Sequence, residues 1–330
     1  MDASLLNPRF FTARPEGQVP EFAYILRRIL LIVPTLLVIL VVTFTIVRLL
    51  PGDPASAMIG DRSTDSDVTR INAELGLDKP LPVQFFYFVR QVATRNLGDS
   101  FALHEPVTSV IAERLPVTLM LTAMAGFFAL TMAIPLAFVS ALRRNSATDM
   151  AIRGSFQVTL SMPPFYIGLV LLTIFSARLH WFPVGGYGDT FGDRVYHLFL
   201  PSMTLALSLT AVLMNSLRAS IIAVLDAEYV TFARAKGLSN RTILLRHVMR
   251  NALIPTLTLF ALNIGTIIGG AVITETVFAV PGICRLMVDS IFSRDYPMVQ
   301  GLVIVLSVLV SLIFLVTDVV QVALDPRRAR

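Results

Sequence analysis

The chain has 330 residues, 55% of them hydrophobic and only 15% charged, with a mean hydropathy of +0.73. A soluble domain of this size carries about a quarter charged residues. Here the apolar excess is gathered in runs long enough to cross a bilayer, which excludes an ordinary soluble enzyme, a disordered chain and a disulfide-stapled secreted domain. The net charge of +5 rests on arginine, since Lys79 and Lys236 are the only lysines, and in a membrane chain such an excess points to loop topology and not to nucleic acid.

Residues 1–28 are polar, with Pro8, Pro15 and Pro20, and read as a loosely ordered cytoplasmic extension. Arg27-Arg28, the apolar run Ile29–Leu50 and Ala55-Ser56-Ala57 imitate a signal peptide. The run is too long for a signal core and lies too far along the chain, so it is expected to stay as an uncleaved first span. Residues 51–115 form an external segment that looks folded. Ser66 or Asp67 can cap a short helix ending near Gly76, and after Pro80 and Pro82 the residues Val83, Phe86, Val89 and Val92 recur on one helical face, widened by Phe85 and Phe88. That stripe is expected to pack on the protein's own outer side, with the lipid surface, the bundle mouth and a partner as alternatives.

Residues 116–324 hold five more apolar runs: Pro116–Leu142, Ile152–Ala177, Leu198–Leu217, Ala252–Thr274 and Val299–Leu324. The expected fold is therefore an all-α membrane protein with six transmembrane helices, followed by a short tail, 325–330. The run Leu198–Leu217 is diluted by Ser202, Thr204, Ser208, Thr210 and Asn215, which suits a helix inside the bundle whose hydroxyls bond back to its own carbonyls. Arginine and lysine accumulate in 1–28, after the second span and in the loop 218–251, so both termini are expected on the cytoplasmic side.

Loop 218–251 is the most informative. Ala219–Lys236 reads as one helix, with Ile221, Ile222, Leu225, Tyr229 and Phe232 at helical spacing, and Ala233, Ala235 and Gly237 leave a small-residue surface at its end. Gly237 is placed to stop the helix in the left-handed conformation and Ser239 to cap the next one. A short helix with small side chains and a sharp turn suits another protein's groove; a plain basic loop is the equal alternative.

Catalytic patterns are missing. The sequence has no Gly-x-x-x-x-Gly-Lys-Ser/Thr, no Gly-x-Ser-x-Gly and no His-Glu-x-x-His, and Cys284 is its one cysteine. His104, His180, His197 and His247 are scattered, so neither a metal cage nor a catalytic site is expected. Ionisable residues near the spans are few: Arg48, Glu275 and Asp318. A self-powered pump needs a charged relay at bilayer depth; without one, transport energy is expected from a partner. Glu275 is a candidate for the outer gate, or a helix-end carboxylate bonded to nearby backbone.

Several stretches together resemble one family. Leu50-Pro51-Gly52-Asp53-Pro54, Leu75-Gly76-Leu77-Asp78 and Asn96-Leu97-Gly98-Asp99-Ser100 surround the first external segment. Glu228-Tyr229-Val230 through Ser239, then Arg250 to Pro255, follow in the loop. Glu275-Thr276-Val277-Phe278 with Pro281-Gly282, Arg294-Asp295-Tyr296-Pro297 and Leu324-Asp325-Pro326-Arg327 complete the set. In this order they resemble the membrane permease subunits of bacterial ABC importers for dipeptides, oligopeptides and nickel. Thr231, Phe232 and Ala233 stand where the wider superfamily has Glu-Ala-Ala, which is similar to the peptide and nickel branch, and Cys284 stands where such relatives usually carry glycine.

The resemblance implies a type I importer fold in the inner membrane, a second homologous permease as heterodimer partner, one or two ABC ATPase subunits and a periplasmic substrate-binding protein. This chain itself would need no cofactor, ATP and Mg being held by the ATPases. Residues 225–237 become a coupling helix, with Glu228, Arg234 and Lys236 as polar contacts and Ala233, Ala235 and Gly237 as the close approach and turn. Gly265, Gly269 and Gly270 become a packing or gating surface. Di- or oligopeptides are the expected cargo; nickel chelates, glutathione-like peptides, opines and oligosaccharides stand as alternatives, and an ATP-independent secondary transporter or a membrane-embedded enzyme as rivals from other classes.

Overall fold

A computed structural model describes residues 21–49, 79–94 and 96–324. The extension before residue 21, the helix expected near 66–76 and the tail 325–330 lie outside the described residues. Ten helices follow in order among the described residues: α1 Glu21–Leu49, α2 Leu81–Ala93, α3 Val107–Leu142, α4 Ala147–Ser161, α5 Pro164–Arg178, α6 Phe191–Leu225, α7 Glu228–Ala235, α8 Asn240–Val277, α9 Ile283–Phe292 and α10 Tyr296–Leu324. Among the described residues the only β feature is an isolated bridge between Asp99 and Pro106.

Helices α3, α6, α8 and α10 are long and apolar enough to span a bilayer; Leu30–Thr45 of α1 is a shorter apolar stretch. Each long helix outruns the apolar core that hydropathy detects. Helix α3 starts at Val107 and carries Pro116 within it, and α8 begins at Asn240, so that His247 lies in helix and not in a loop. The run expected as one span, Ile152–Ala177, is instead two helices, α4 and α5, bent by 108°. The cause is Pro163-Pro164. Proline forces its predecessor out of the helical region, and Met162 is extended (φ −94°, ψ 135°), as is Pro163 (φ −60°, ψ 141°).

Helix α6 is central, with 67% of its most apolar stretch buried, against 11% for α10. It packs along α3 and α8. Its hydroxyls behave as the sequence suggests: Ser202 donates to the Phe199 carbonyl, Thr204 to Leu200 and Thr210 to Ala206, at 2.7–2.9 Å. These three hydroxyls are thus satisfied within the helix, and the buried surface around them packs as if apolar. Fully buried Leu121, Leu198, Leu213, Met214, Leu217 and Ile221 fill the seam between α3, α6 and their neighbours.

Helix α2 meets the C-terminal end of α1, where Phe85 and Phe88 pack on Phe44 with ring centroids 5.2 and 5.8 Å apart. Of the expected stripe, Val89 and Val92 are half-buried, while Val83 and Phe86 are exposed. The packed face is thus turned from the one that spacing suggested, because the two phenylalanines follow the aromatic ring offered by α1.

Candidate functional site

The candidate residues lie at two ends of the bundle. At one end lie α7, the start of α8 and the α3–α4 turn; at the other lie residues 96–106, α9 and the start of α10.

At the first end the expected helix Ala219–Lys236 is broken. Asp226 closes α6, and Ala227 turns extended (φ −74°, ψ 143°) before α7 begins. The break resets the helical phase. Ile221 stays in the core, but Tyr229 and Phe232, which continuous spacing placed with it, are 44% and 67% exposed. Val230 and Ala233 turn inward and anchor α7. Glu228, Arg234, Ala235, Lys236 and Gly237 are exposed, so only Ala233 of the expected surface faces the chain's own core. Gly237 has φ +79°, and the paired bonds Gly237 N–H to Arg234 O and Leu238 N–H to Ala233 O, at 2.9 and 3.3 Å, close the helix in the form that glycine permits. The Ser239 hydroxyl then accepts from Thr242 N–H at 3.3 Å and starts α8. The Asn251 amide donates to the Tyr229 hydroxyl (3.1 Å) and the His247 carbonyl (2.9 Å), fixing α7 against the first turns of α8.

At the same end, where α3 turns into α4 beside α6, sits a buried ion pair. The Arg218 guanidinium donates from Nε and Nη2 to the two oxygens of Asp149 at 2.9 and 2.7 Å. The Asp149 side chain is 1% exposed and that of Arg218 15%. Ser140 donates its hydroxyl to the same carboxylate, and Asn145 N–H adds a bond at 3.0 Å. This cluster ties the end of α3, the start of α4 and α6 together. Two-pronged arginine–carboxylate geometry holds direction as well as distance. Spacing alone does not single it out, since Arg218 reads only as one more basic loop residue.

At the second end Glu275 is fully buried. Its carboxylate accepts from the Thr118 hydroxyl at 2.5 Å and from Arg285 N–H at 2.9 Å, while Thr118 Oγ1 accepts from Ile283 N–H at 3.0 Å. Glu275 and Thr118 together therefore cap the first turn of α9, whose orphan N–H groups and positive dipole end favour an acceptor. A Cβ at Gly282 would overlap the Glu275 carboxyl group, so any side chain there must displace that carboxyl from its donors. Of the two sequence readings of Glu275, the helix-end carboxylate is the one that this geometry matches. Cys284, in the same turn, is fully buried with its thiol 3.7 Å from the Ile268 carbonyl. Burial, with the neighbouring Glu275, pushes that thiol far above the usual range for ionisation.

Two of the sequence stretches that carry the resemblance meet here. Asp295 is buried and accepts from the Ser100 hydroxyl, from Phe101 and Ala102 N–H at 3.2 Å, and from Met298 N–H at 3.3 Å. The loop 96–106 is thereby fastened to the first turn of α10.

The three glycines of α8 do not share one face. A side chain at Gly265 would come within 3.1 Å of Phe314 on α10, one at Gly270 within 3.2 Å of Leu205 on α6, and Gly269 faces open space. No group of three or more potential metal ligands occurs among the described residues.

Comparisons with known proteins place this geometry in context. Residues 133–330 match the family described as the binding-protein-dependent transport system inner membrane component, and residues 21–122 match its N-terminal companion. The chain belongs to this family. It is a multi-pass permease of the ABC importer type in the inner membrane. It is 39% identical over 308 residues to a glutathione transport system permease protein of Pectobacterium atrosepticum, covering 92% of this chain and 97% of the relative. A di/tripeptide transport system permease protein of Pseudomonas aeruginosa is 37% identical and an oligopeptide transport system permease protein of Bacillus subtilis 36%, each over 92% of this chain and 98% of the relative. The fold is similar to a chain of the MetNI methionine ABC transporter in inward-facing conformations, with a TM-score of 0.54 and 15% identity over 66% of this chain and 96% of that one. That likeness is one of fold, over about two thirds of this chain.

Proposed function

We propose that the chain is the peptide-translocating permease subunit of an ATP-driven importer, working with a second homologous permease, one or two ATPase subunits and a periplasmic binding protein. The observation that carries the reading is α7: an eight-residue helix at one end of the bundle, stopped by Gly237 and presenting Tyr229 and Phe232 outward. Exposed aromatics on an anchored helix are the pattern of a protein-binding anchor, because they bury large area at little entropic cost. Glu228, Arg234 and Lys236 supply the polar rim. When the ATPases close, their groove moves α7, and the clamp Asp149–Arg218 passes that motion to α3, α4 and α6 as a unit. In this reading α7 and both termini are cytoplasmic, the bundle crosses the membrane six times with the bent α4–α5 pair as one crossing, and the permease does no chemistry of its own. Names of relatives support peptides as cargo, glutathione being one of them.

The test is uptake of radiolabelled alanylalanine by host cells with and without the chain. Uptake that needs the chain and collapses when ATP is depleted supports the reading. Uptake that survives ATP depletion, driven by an ion gradient, overturns it.

A further inference from the structure

Residues 96–106, the start of α3 and α9 enclose a cleft of about 390 Å³ at the end of the bundle opposite α7. Its walls include Ala102, Leu103, Arg114, Gly282, Arg285 and Asp289. The volume lies in the range of small-molecule sites. The loop wall is held in place, since Phe101 and Ala102 give their N–H groups to Asp295.

The charges in this cleft are unevenly paired. Asp295 is saturated by the Ser100 hydroxyl and three backbone donors, and so is not free for arginine. Arg285 reaches Asp289 only at 3.7 Å, with both side chains partly exposed. Such a pair contributes little. The Arg114 Nε is buried with no hydrogen-bond partner among the described residues. That nitrogen is shielded from solvent, so a ligand in the cleft would meet the terminal nitrogens of the guanidinium, and a guanidinium fork matches a carboxylate in two parallel bonds. The remaining lining is largely apolar, with Leu103, Pro281 and Leu286.

From this we infer that the cleft is a carboxylate-binding subsite in which Arg114, aided by Arg285, takes the C-terminal carboxylate of a small peptide at the outer mouth of the permease. The peptide identity rests on the function proposed above; the carboxylate chemistry rests on the cleft alone. Arg114 fixes the carboxylate and the apolar wall receives the last side chain. Asp289 then faces the incoming group at the edge and disfavours a second negative charge.

The purified full chain in lipid nanodiscs, treated with the arginine reagent phenylglyoxal and read by mass spectrometry, tests the subsite without ATPase or binding protein. Alanylalanine is expected to protect Arg114 severalfold, alanylalanine amide to give no protection, and Arg144 at the opposite end to react equally in every sample. No protection by alanylalanine, or equal protection by the amide, overturns the subsite. If Arg114 proves unreactive in the free protein, saturation-transfer NMR of alanylalanine on the wild type and on R114Q decides. A transfer signal that is present on the wild type and disappears on R114Q supports the subsite; an equal signal on both proteins, or none on either, overturns it. Because neither experiment involves uptake, ATP-driven transport of peptides can stand while the subsite fails, and the reverse.

Discussion

The Glu275 carboxyl group occupies the space in which a side chain at position 282 would stand, and from there it caps the first turn of α9. Gly282→Ala must push that carboxyl group off Thr118 and Arg285 N–H. The expected cost is about 2–4 kcal/mol, combining overpacking with unmatched donors. Glu275→Gln, which keeps the shape and one acceptor oxygen, is expected to lose less than Glu275→Ala. Thermal unfolding of the three variants in detergent checks the order; G282A with wild-type stability contradicts the packing.

Cys284 gives a second measurement. It is the chain's only cysteine, fully buried, and its raised pKa keeps it a thiol. An ordinary thiol, with a pKa of about 8.5, becomes reactive as pH rises through that value, because the thiolate is the nucleophile. Cys284 is expected to remain unlabelled by a maleimide at neutral pH and at about pH 9, and to label stoichiometrically once the chain is unfolded. Rapid labelling of folded protein contradicts its placement.

The Asp149–Arg218 pair predicts an asymmetry between variants. Removing one partner leaves a buried charge unmatched, which costs about 3–5 kcal/mol. Arg218→Lys keeps the charge but loses the two-pronged geometry, and is expected to fall between wild type and Arg218→Gln. Unfolding midpoints measure the stability. Transport rates measured at equal folded amount then show whether the clamp also carries motion, in which case R218K transports more slowly than its stability alone explains.

Gly237 sits at φ +79°, where a β-branched residue is strained, and nothing crowds the position. Gly237→Val is therefore expected to disturb the end of α7 and little else. In the assembled transporter it should leave ATP hydrolysis running while substrate uptake falls at least severalfold. Wild-type uptake per ATP in G237V removes α7 from the coupling role.

Much of this is legible in the sequence because it rests on local chemistry. Gly237 and Ser239 announce a helix stop and start, and the hydroxyls of α6 announce a buried helix that satisfies itself. The bend at Met162–Pro163 is also written there, in two adjacent prolines, but the continuous apolar run masks it; hydropathy reports burial in lipid and is blind to direction. Tyr229 and Phe232 fall on the wrong face when helical spacing is carried across Asp226–Ala227, where the phase is lost. The Ser100–Asp295 and Asp149–Arg218 contacts join residues 195 and 69 positions apart, and no spacing rule reaches that far. Ser100 and Asp295 do stand in the motifs that carry the family resemblance; Arg218 and Asp149 do not, and only the fold brings them together.

The central claim is that α7 seats this permease on an ATPase. Native affinity purification of the tagged chain from its host's membranes, with sequencing of the co-purifying chains, tests it most directly. The account predicts a second multi-pass permease and at least one chain bearing Gly-x-x-x-x-Gly-Lys-Ser/Thr, with the ATPase lost from Phe232→Asp while the permease partner remains. Recovery of the chain alone in a stable, transport-competent form would contradict it.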